Sequence, residues 1–458
     1  MAHARGAPEP AANRRQAMCS RRAPRMLLLV HSAKQVVLVT NSGEKYVTGE
    51  RMGRLVVWEE PGGISVAVDG DGKIAKVGKS SEVQSAYSHV KFDEVLDASN
   101  MCILPGFVDG HTHPIWSGDR VGEFEMKLAG ATYLEIHEKG GGIFFTVDST
   151  KERSDVELYT SLKHRLDMMA QSGTTLVECK SGYGLEKNEE MRLLKIIEGV
   201  KKECPIEISS TYCGAHAVPR NKSTEEATTS IIDDQIPELK NLIDSGALSV
   251  ENIDVFCEEK VFDPDQSKRI LQAGKDIGLR INFHGDELHP TKSAEMGASI
   301  GATAISHLEE ISHDGIAAMA KTKSVAVILP TTAYVMKLKP PPVQQLIRAG
   351  VPVALGTDFN PNAYCLSMPI VMNLACVTLG MSMPEAFNAA TINSAASLGR
   401  SATHGSIEEG KYGDLIILNA PRWEHIIYQL GNHHNLIYAV IKKGRVIHQK
   451  QCVSSIQY

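Results

Sequence analysis

An α/β chain, a (β/α)8 TIM-like barrel joined to a small β-sandwich domain built from its two ends, is what these 458 residues predict. Strand-like runs alternate with helical segments through the middle of the chain, and eight such runs can be counted. Histidines and one aspartate fall at the ends of those runs. The two termini lack the alternation and are β-rich and turn-punctuated instead.

Residues 1–25 hold six arginines and one acid without an apolar periodicity. They are expected to be a disordered N-terminal extension, as from an alternative start upstream of Met26; a mitochondrial-type presequence is the alternative. From Met26 to residue 101 the runs QVVLVT, RLVVWEE and ISVAVDGDGKIAKVG read as strands, with DGDGK as a hairpin turn. Residues 405–458 read alike, in YGDLIILNA and in YAVIKKGRVIH with its turn at Lys443-Gly444. Segments 26–101 and 405–458 are therefore expected to form one small β-rich domain around a barrel spanning 102–404.

Within the barrel the strand candidates are ILPGFVDGH, TTLVECK, IEISSTYCGAH, VENIDVFCE, LRINFHGDE, ATAISHL, VAVILP and VPVALGTD. Helices are expected at Asp155–Gln171, Glu189–Lys202, Asp263–Ile277 and Pro341–Ala349, where most show apolar residues at three- and four-residue spacing. Gly173, Gly278 and Gly350 supply stops. A doubly wound open sheet is the rival, but its strand count is usually nearer six.

Composition narrows the function classes. Apolar residues make up 43% and charged residues 22%, as in a soluble globular protein, and the net charge of −6 gives no electrostatic case for nucleic acid or an anionic membrane. The longest uncharged stretch, Phe359 to Pro384, is broken by prolines and asparagines and does not read as a membrane span. Nine scattered cysteines without a C-x-x-C suggest reduced, cytosolic thiols.

The chemistry gathers at the strand ends. In GFVDGHTHP, His111 and His113 share one face of an extended segment because side chains alternate along it. His216 follows the third run, His284 ends the fifth, His307 the sixth and Asp358 the eighth, all at the face where barrel enzymes build their sites. His111, His113, His284 and Asp358 form a donor set suited to zinc or iron rather than magnesium or calcium. Such an ion lowers the pKa of bound water from 15.7 to about 7. Glu287, three residues past His284 in FHGDE, is the candidate proton donor to a leaving nitrogen, with Asp286 as the solvated or loop-paired alternative. Asp358 can take a proton from the attacking water, and His307 can steady developing negative charge. Arg120, seven residues after His113, suits a substrate carboxylate, although an isolated loop arginine is ordinarily a surface residue.

These residues resemble the amidohydrolase superfamily through PGFVDGHTHP, TINSAASLG and GSIEEGKYGDLIIL. A narrower resemblance, to the imidazolonepropionase family, rests on GDR, KSGYGL, GAHAVP, FCEEKVF, NFHGDE, SHLE and TDFNP, and covers nearly everything after residue 26. It implies cytoplasmic histidine breakdown, the hydrolysis of 4-imidazolone-5-propanoate to N-formimino-L-glutamate with one divalent metal ion, zinc or iron, in a homodimer. It implies substrate contacts from Arg120, Tyr183, His216, Glu287 and Asn360, with Arg120 on the propanoate and His307 beside the reactive water. Some superfamily members bind two metals through a carboxylated lysine ending the fourth strand. Here Lys260 lies beyond that strand and Lys180 is on the second, which favours one metal. Asn362 and Ala363 stand where the family pattern has glycine and a small hydroxyl residue, which puts one substrate hydrogen bond in doubt. A purine or pyrimidine deaminase of the same superfamily, and a non-catalytic scaffold of the same fold, are the other readings.

Overall fold

The computed structural model describes residues 25–130 and 141–450, so the extension expected at residues 1–25 lies, but for Arg25, outside them. The first strands are β1 (Met26–Val39), β2 (Val56–Asp69), β3 (Ile74–Lys79), β4 (Phe92–Asp97) and β5 (Cys102–Pro105). Then come β6 (Phe107–Asp109), β7 (Thr174–Lys180), β8 (Glu207–Ala215), β9 (Asn252–Cys257), β10 (Arg280–Gly285), β11 (Ala304–His307), β12 (Val325–Ile328) and β13 (Val353–Leu355). The last are β14 (Leu415–Leu418), β15 (Ile437–Lys442) and β16 (Arg445–Gln449).

Strands β6 to β13 lie side by side in sequence order as an eight-stranded parallel sheet, with helices in the crossovers. Parallel strands are covered on both faces, so they tolerate continuous apolar runs; all four residues of Val325–Ile328 and all seven of Thr174–Lys180 are buried. The expected helix Asp155–Gln171 is present and is fixed at its start by a capping box between Ser154 and Glu157. The helix expected at Asp263–Ile277 runs Pro264–Asp276, because Asp263 caps it and Pro264 opens it. The prolines at 340–342 delay the helix expected from Pro341, which spans Val343–Ala349. The segment expected to start at Glu189 starts at Lys187 and runs to Lys201.

Side chains close the barrel at the seam between its first and last strands. Asp109 accepts hydrogen bonds from the Thr357 amide at 2.9 Å and the Thr357 hydroxyl at 2.7 Å. Just beyond, the Asp358 amide donates to the His111 carbonyl at 3.0 Å and the His113 amide to the Phe359 carbonyl at 2.9 Å.

The terminal segments form a second eight-stranded sheet, ordered β16-β15-β14-β5-β1-β2-β3 with β4 on β1. Register shifts along the β1–β2 ladder let the sheet fold over. Residues from its distant parts, among them Val30, Val66, Ile103, Ile417 and Ile441, then share one apolar core, as in a sandwich.

One expectation is corrected here. The run ILPGFVDGH is two strands in two sheets: Cys102–Pro105 pairs with β1 and β14, and Phe107–Asp109 opens the barrel. Gly106 is the crossing point, where a Cβ would lie 2.2 Å from the Thr175 hydroxyl oxygen. Apolar patterning cannot register this switch, since both halves are fully buried. Among the described residues no helix is long and apolar enough to cross a membrane, and the seven described cysteines are free thiols.

Candidate active site

The seam places the first ligand candidates. His111 and His113 lie just past β6 in extended backbone, where Thr112 bridges in parallel to Phe359, so both rings turn to the same side. Gly356 permits this approach, since a Cβ there would stand 3.0 Å from the His111 backbone and Cβ. His284 comes from β10, and Asp358 from the turn after β13, with its backbone in the left-handed region at φ 47°. His307 (φ 77°) and Leu308 (φ 71°) also adopt that region, which costs non-glycine residues roughly 1–3 kcal/mol each. Hydrogen bonds from the Leu308 amide to the Gly285 carbonyl and from the Glu310 amide to the Asp286 carbonyl hold the turn. Strain of this kind is retained where it aims a functional side chain.

The donor atoms converge. His113 Nε2 lies 3.3 Å from His111 Nε2 and 3.1 Å from His284 Nε2. Asp358 Oδ1 is 3.5 Å from His111 Nε2 and 3.6 Å from His113 Nε2. His111, His113 and His284 each offer a nitrogen within 4.8 Å of the other two, with Asp358 Oδ1 beside His111 and His113, so the residues present fit a single small cation. Their outer atoms are turned to suit. His111 Nδ1 and Ser306 Oγ are hydrogen-bonded at 2.8 Å, His284 Nδ1 donates to Asp254 Oδ1 at 2.7 Å, and Thr332 donates to Asp358 Oδ2 at 2.5 Å. Each leaves the inner atom free for a ligand.

Beside the cluster is a cavity of about 150 Å³, lined by all the substrate-contact candidates: Arg120, Tyr183, His216, Glu287 and Asn360. The His216 ring stacks on His113 at 4.7 Å and 14°, and its Nδ1 donates to the Gly182 carbonyl at 2.9 Å. Burial, with the His284 ring adding to it, lowers the His216 pKa to about 3, so the ring is neutral. Gly182 must be glycine, with φ 109° and His216 Nδ1 3.0 Å from where a Cβ would sit. Glu287 Oε2 is 3.5 Å from His307 Nε2. Burial, then the Glu309, Asp358 and Glu258 carboxylates, push Glu287 well above the usual carboxylate range. Arg120 is almost buried; Nη2 donates to Glu123 at 2.6 Å while Nε has no partner among the described residues. Asn360 gives one side-chain hydrogen bond to the Asp358 carbonyl and receives the Asn362 and Ala363 amides. Asn362 also lines the cavity, and Lys127 hydrogen-bonds its side-chain oxygen.

With that geometry described, the comparisons with known proteins decide the family. Residues 102–448 match the amidohydrolase family. A probable imidazolonepropionase of Danio rerio is 58% identical over 429 residues, which cover 94% of this chain and 98% of that one. The Homo sapiens protein of the same description is 56% identical over 92% of this chain and 98% of its own. The chain belongs to the imidazolonepropionase branch of the amidohydrolase family. Among solved structures, an adenosine deaminase of Xanthomonas campestris with bound zinc superposes with a TM-score of 0.68 over 95% of this chain and 96% of that one. At 16% identity that likeness shows the fold alone.

The parts played by several side chains of this amidohydrolase were not foreseen. Of the two readings of Asp286, loop-paired rather than solvated is what the structure shows: it is buried and accepts from Thr291, Ser293 and Ala294, capping the next helix. Lys260 is exposed on the loop after β9, away from the cluster. Ser306 lies in the quoted SHLE motif but was assigned no role, and Thr332, in the helix Pro330–Met336, carried no signal, because a hydroxyl is unremarkable until its neighbour is known. Glu309 sat in the quoted SHLE motif. Burial pushes its carboxyl up to about 8, and its Oε2 lies 3.8 Å from His307 Nδ1. Lys180 was set aside as being on the wrong strand; it is fully buried between Asp254 and Glu178.

Proposed function

We propose that this chain hydrolyses the ring amide C–N bond of 4-imidazolone-5-propanoate to N-formimino-L-glutamate, a step of histidine degradation. The observation that carries this reading is the set of relatives described as probable imidazolonepropionases, from 58% identity in Danio rerio to 51% in Dictyostelium discoideum, each matched over more than nine-tenths of its length. The cavity agrees with it, having a cation for a carboxylate and a ligand cluster for a reactive water. The finer assignments belong to the same proposal: one zinc or iron on His111, His113, His284 and Asp358, a cytoplasmic homodimer, and the residue roles below.

The ion, when bound, supplies an acidified water and a Lewis acid for the ring carbonyl. The chain's own residues do the rest. Arg120, through its free Nε edge, holds the propanoate and fixes the ring over the cluster. Tyr183 and the neutral His216 pack against the ring, and the second Asn360 amide hydrogen is available to a ring heteroatom. Asp358 Oδ1 takes a proton from the attacking water. His307 Nε2 steadies the charge that grows on the carbonyl oxygen. As the C–N bond breaks, the Glu287 carboxyl delivers its proton to the departing nitrogen, and the carbonyl carbon leaves as a carboxylate.

The test compares substrates. Purified protein should consume imidazolone-propanoate and leave guanine and cytosine untouched. Release of ammonia from either base, without ring opening of the imidazolone, would move the assignment to a deaminase.

A further inference from the structure

Inside the barrel, behind the ligand cluster, lies a charged group that the reaction does not use. Lys180 at the end of β7, Glu178 two residues earlier on the same face, and Asp254 on β9 are all at most 1% exposed. Lys180 Nζ donates to Asp254 Oδ2 at 2.6 Å and forms an ion pair with Glu178 Oε2 at 2.7 Å. Asp254 Oδ1 accepts from His284 Nδ1 at 2.7 Å. Glu178 Oε1 accepts from Thr211 at 2.6 Å. Strand β8 lies between β7 and β9 in the sheet, so the lysine reaches across a strand to make its contact.

We infer that Lys180 and Asp254 are positioning residues for the metal site: together they lock the His284 ring with its Nδ1–H outward and its Nε2 facing His111 and His113. The inference rests on the single-metal reading above. An imidazole that binds a metal through Nε2 must carry its proton on Nδ1, and the acceptor at Nδ1 decides both tautomer and ring angle. Asp254 is held at both oxygens, one by the ring and one by the ammonium, so it cannot rotate away. Burying a lone carboxylate here would be costly, and the lysine offsets that cost. The other ligands have no comparable support: His111 is paired with the neutral Ser306 hydroxyl, and His113 Nδ1 has no hydrogen-bond partner among the described residues. His284 is thus the one ligand histidine with a charged anchor, and its anchor is itself anchored.

The test strips metal from the full-length protein and from Lys180→Met, Asp254→Asn and Ser306→Ala. Each is titrated with Co2+, read by visible absorption, and with Zn2+ in competition with a chromophoric chelator. The expected result is a Zn2+ Kd weakened about 10- to 100-fold in Lys180→Met and Asp254→Asn, with an altered Co2+ spectrum, and a smaller change in Ser306→Ala. If Asp254→Asn does not fold, Lys180→Met carries the comparison, since methionine keeps most of the stem. A lowered melting temperature with wild-type Kd and Co2+ spectrum would make the pair merely structural and overturn the inference. A wild type that binds neither ion would overturn the metal reading itself, and this inference with it.

Discussion

At the residue scale, the groups proposed to bind the substrate are distinct from those proposed to react with it. On the proposed assignment Arg120 holds a part of the substrate that does not change, so Arg120→Met should raise KM about 10- to 100-fold and leave kcat within a few-fold, the signature of lost uniform binding. Steady-state kinetics on imidazolone-propanoate checks it, and a fall in kcat at unchanged KM would place Arg120 elsewhere. Glu287 is different. Its raised pKa and its place 3.5 Å from His307 support its proposed part as donor to the leaving nitrogen. Glu287→Gln should lower kcat about 10²- to 10⁴-fold at unchanged metal content, measured by turnover alongside metal analysis. Full rate at normal metal loading would remove Glu287 from the proton path. The ligand candidates were legible because histidines at strand ends are scarce and several of them recur here. The supporting parts of Ser306, Thr332 and Asp254 were not, because each acts through a neighbour distant in the chain.

Elements are legible where burial differs between faces and illegible where it does not. The helix Asp155–Gln171 has polar and buried residues at helical spacing, and its limits could be read from Ser154, Glu157 and Gly173. The stretch from Cys102 to Asp109 is buried throughout, so nothing in its pattern marks the passage from one sheet to the next. Only Gly106 does, and a glycine among apolar residues has many explanations. The close approach of Thr175 makes a definite prediction. Gly106→Val should destabilise the fold by about 1–3 kcal/mol, because the added carbons must displace β7. Denaturant unfolding measures it, and a wild-type midpoint would mean that the crossing has room to spare. Since β7 ends in Lys180, metal affinity should fall in the same variant.

At the scale of the whole molecule, the barrel and the terminal sheet are tied together by charge as well as by apolar packing. Glu207, at the start of β8, faces Lys442 of β15 at 3.3 Å, Lys443 at 2.7 Å and His404 at 3.4 Å. Burial pulls the Glu207 pKa up, but His404 and the two lysines outweigh it and hold the carboxyl well below its usual range. A carboxylate depressed on folding contributes stability above its unfolded pKa of roughly 4.3 and loses it as pH falls through the folded value. Wild type should therefore melt higher than Glu207→Gln at pH 7, and the gap should narrow towards pH 3. A gap independent of pH would deny the network any role. The eightfold alternation made the barrel legible from the sequence. That both chain ends build one small β-rich unit was legible too, but the place of β5 in that sheet, between β1 and β14, was not, since its β14 partners lie more than 300 residues away in the chain.

The central claim is that one ion at His111, His113, His284 and Asp358 drives opening of the imidazolone ring. It is tested most directly by adding Zn2+ stepwise to metal-free enzyme while following loss of imidazolone-propanoate. Activity should be absent at the start, rise linearly and break at one equivalent of metal per chain. Full activity in the metal-free protein, or a break at two equivalents, would contradict it.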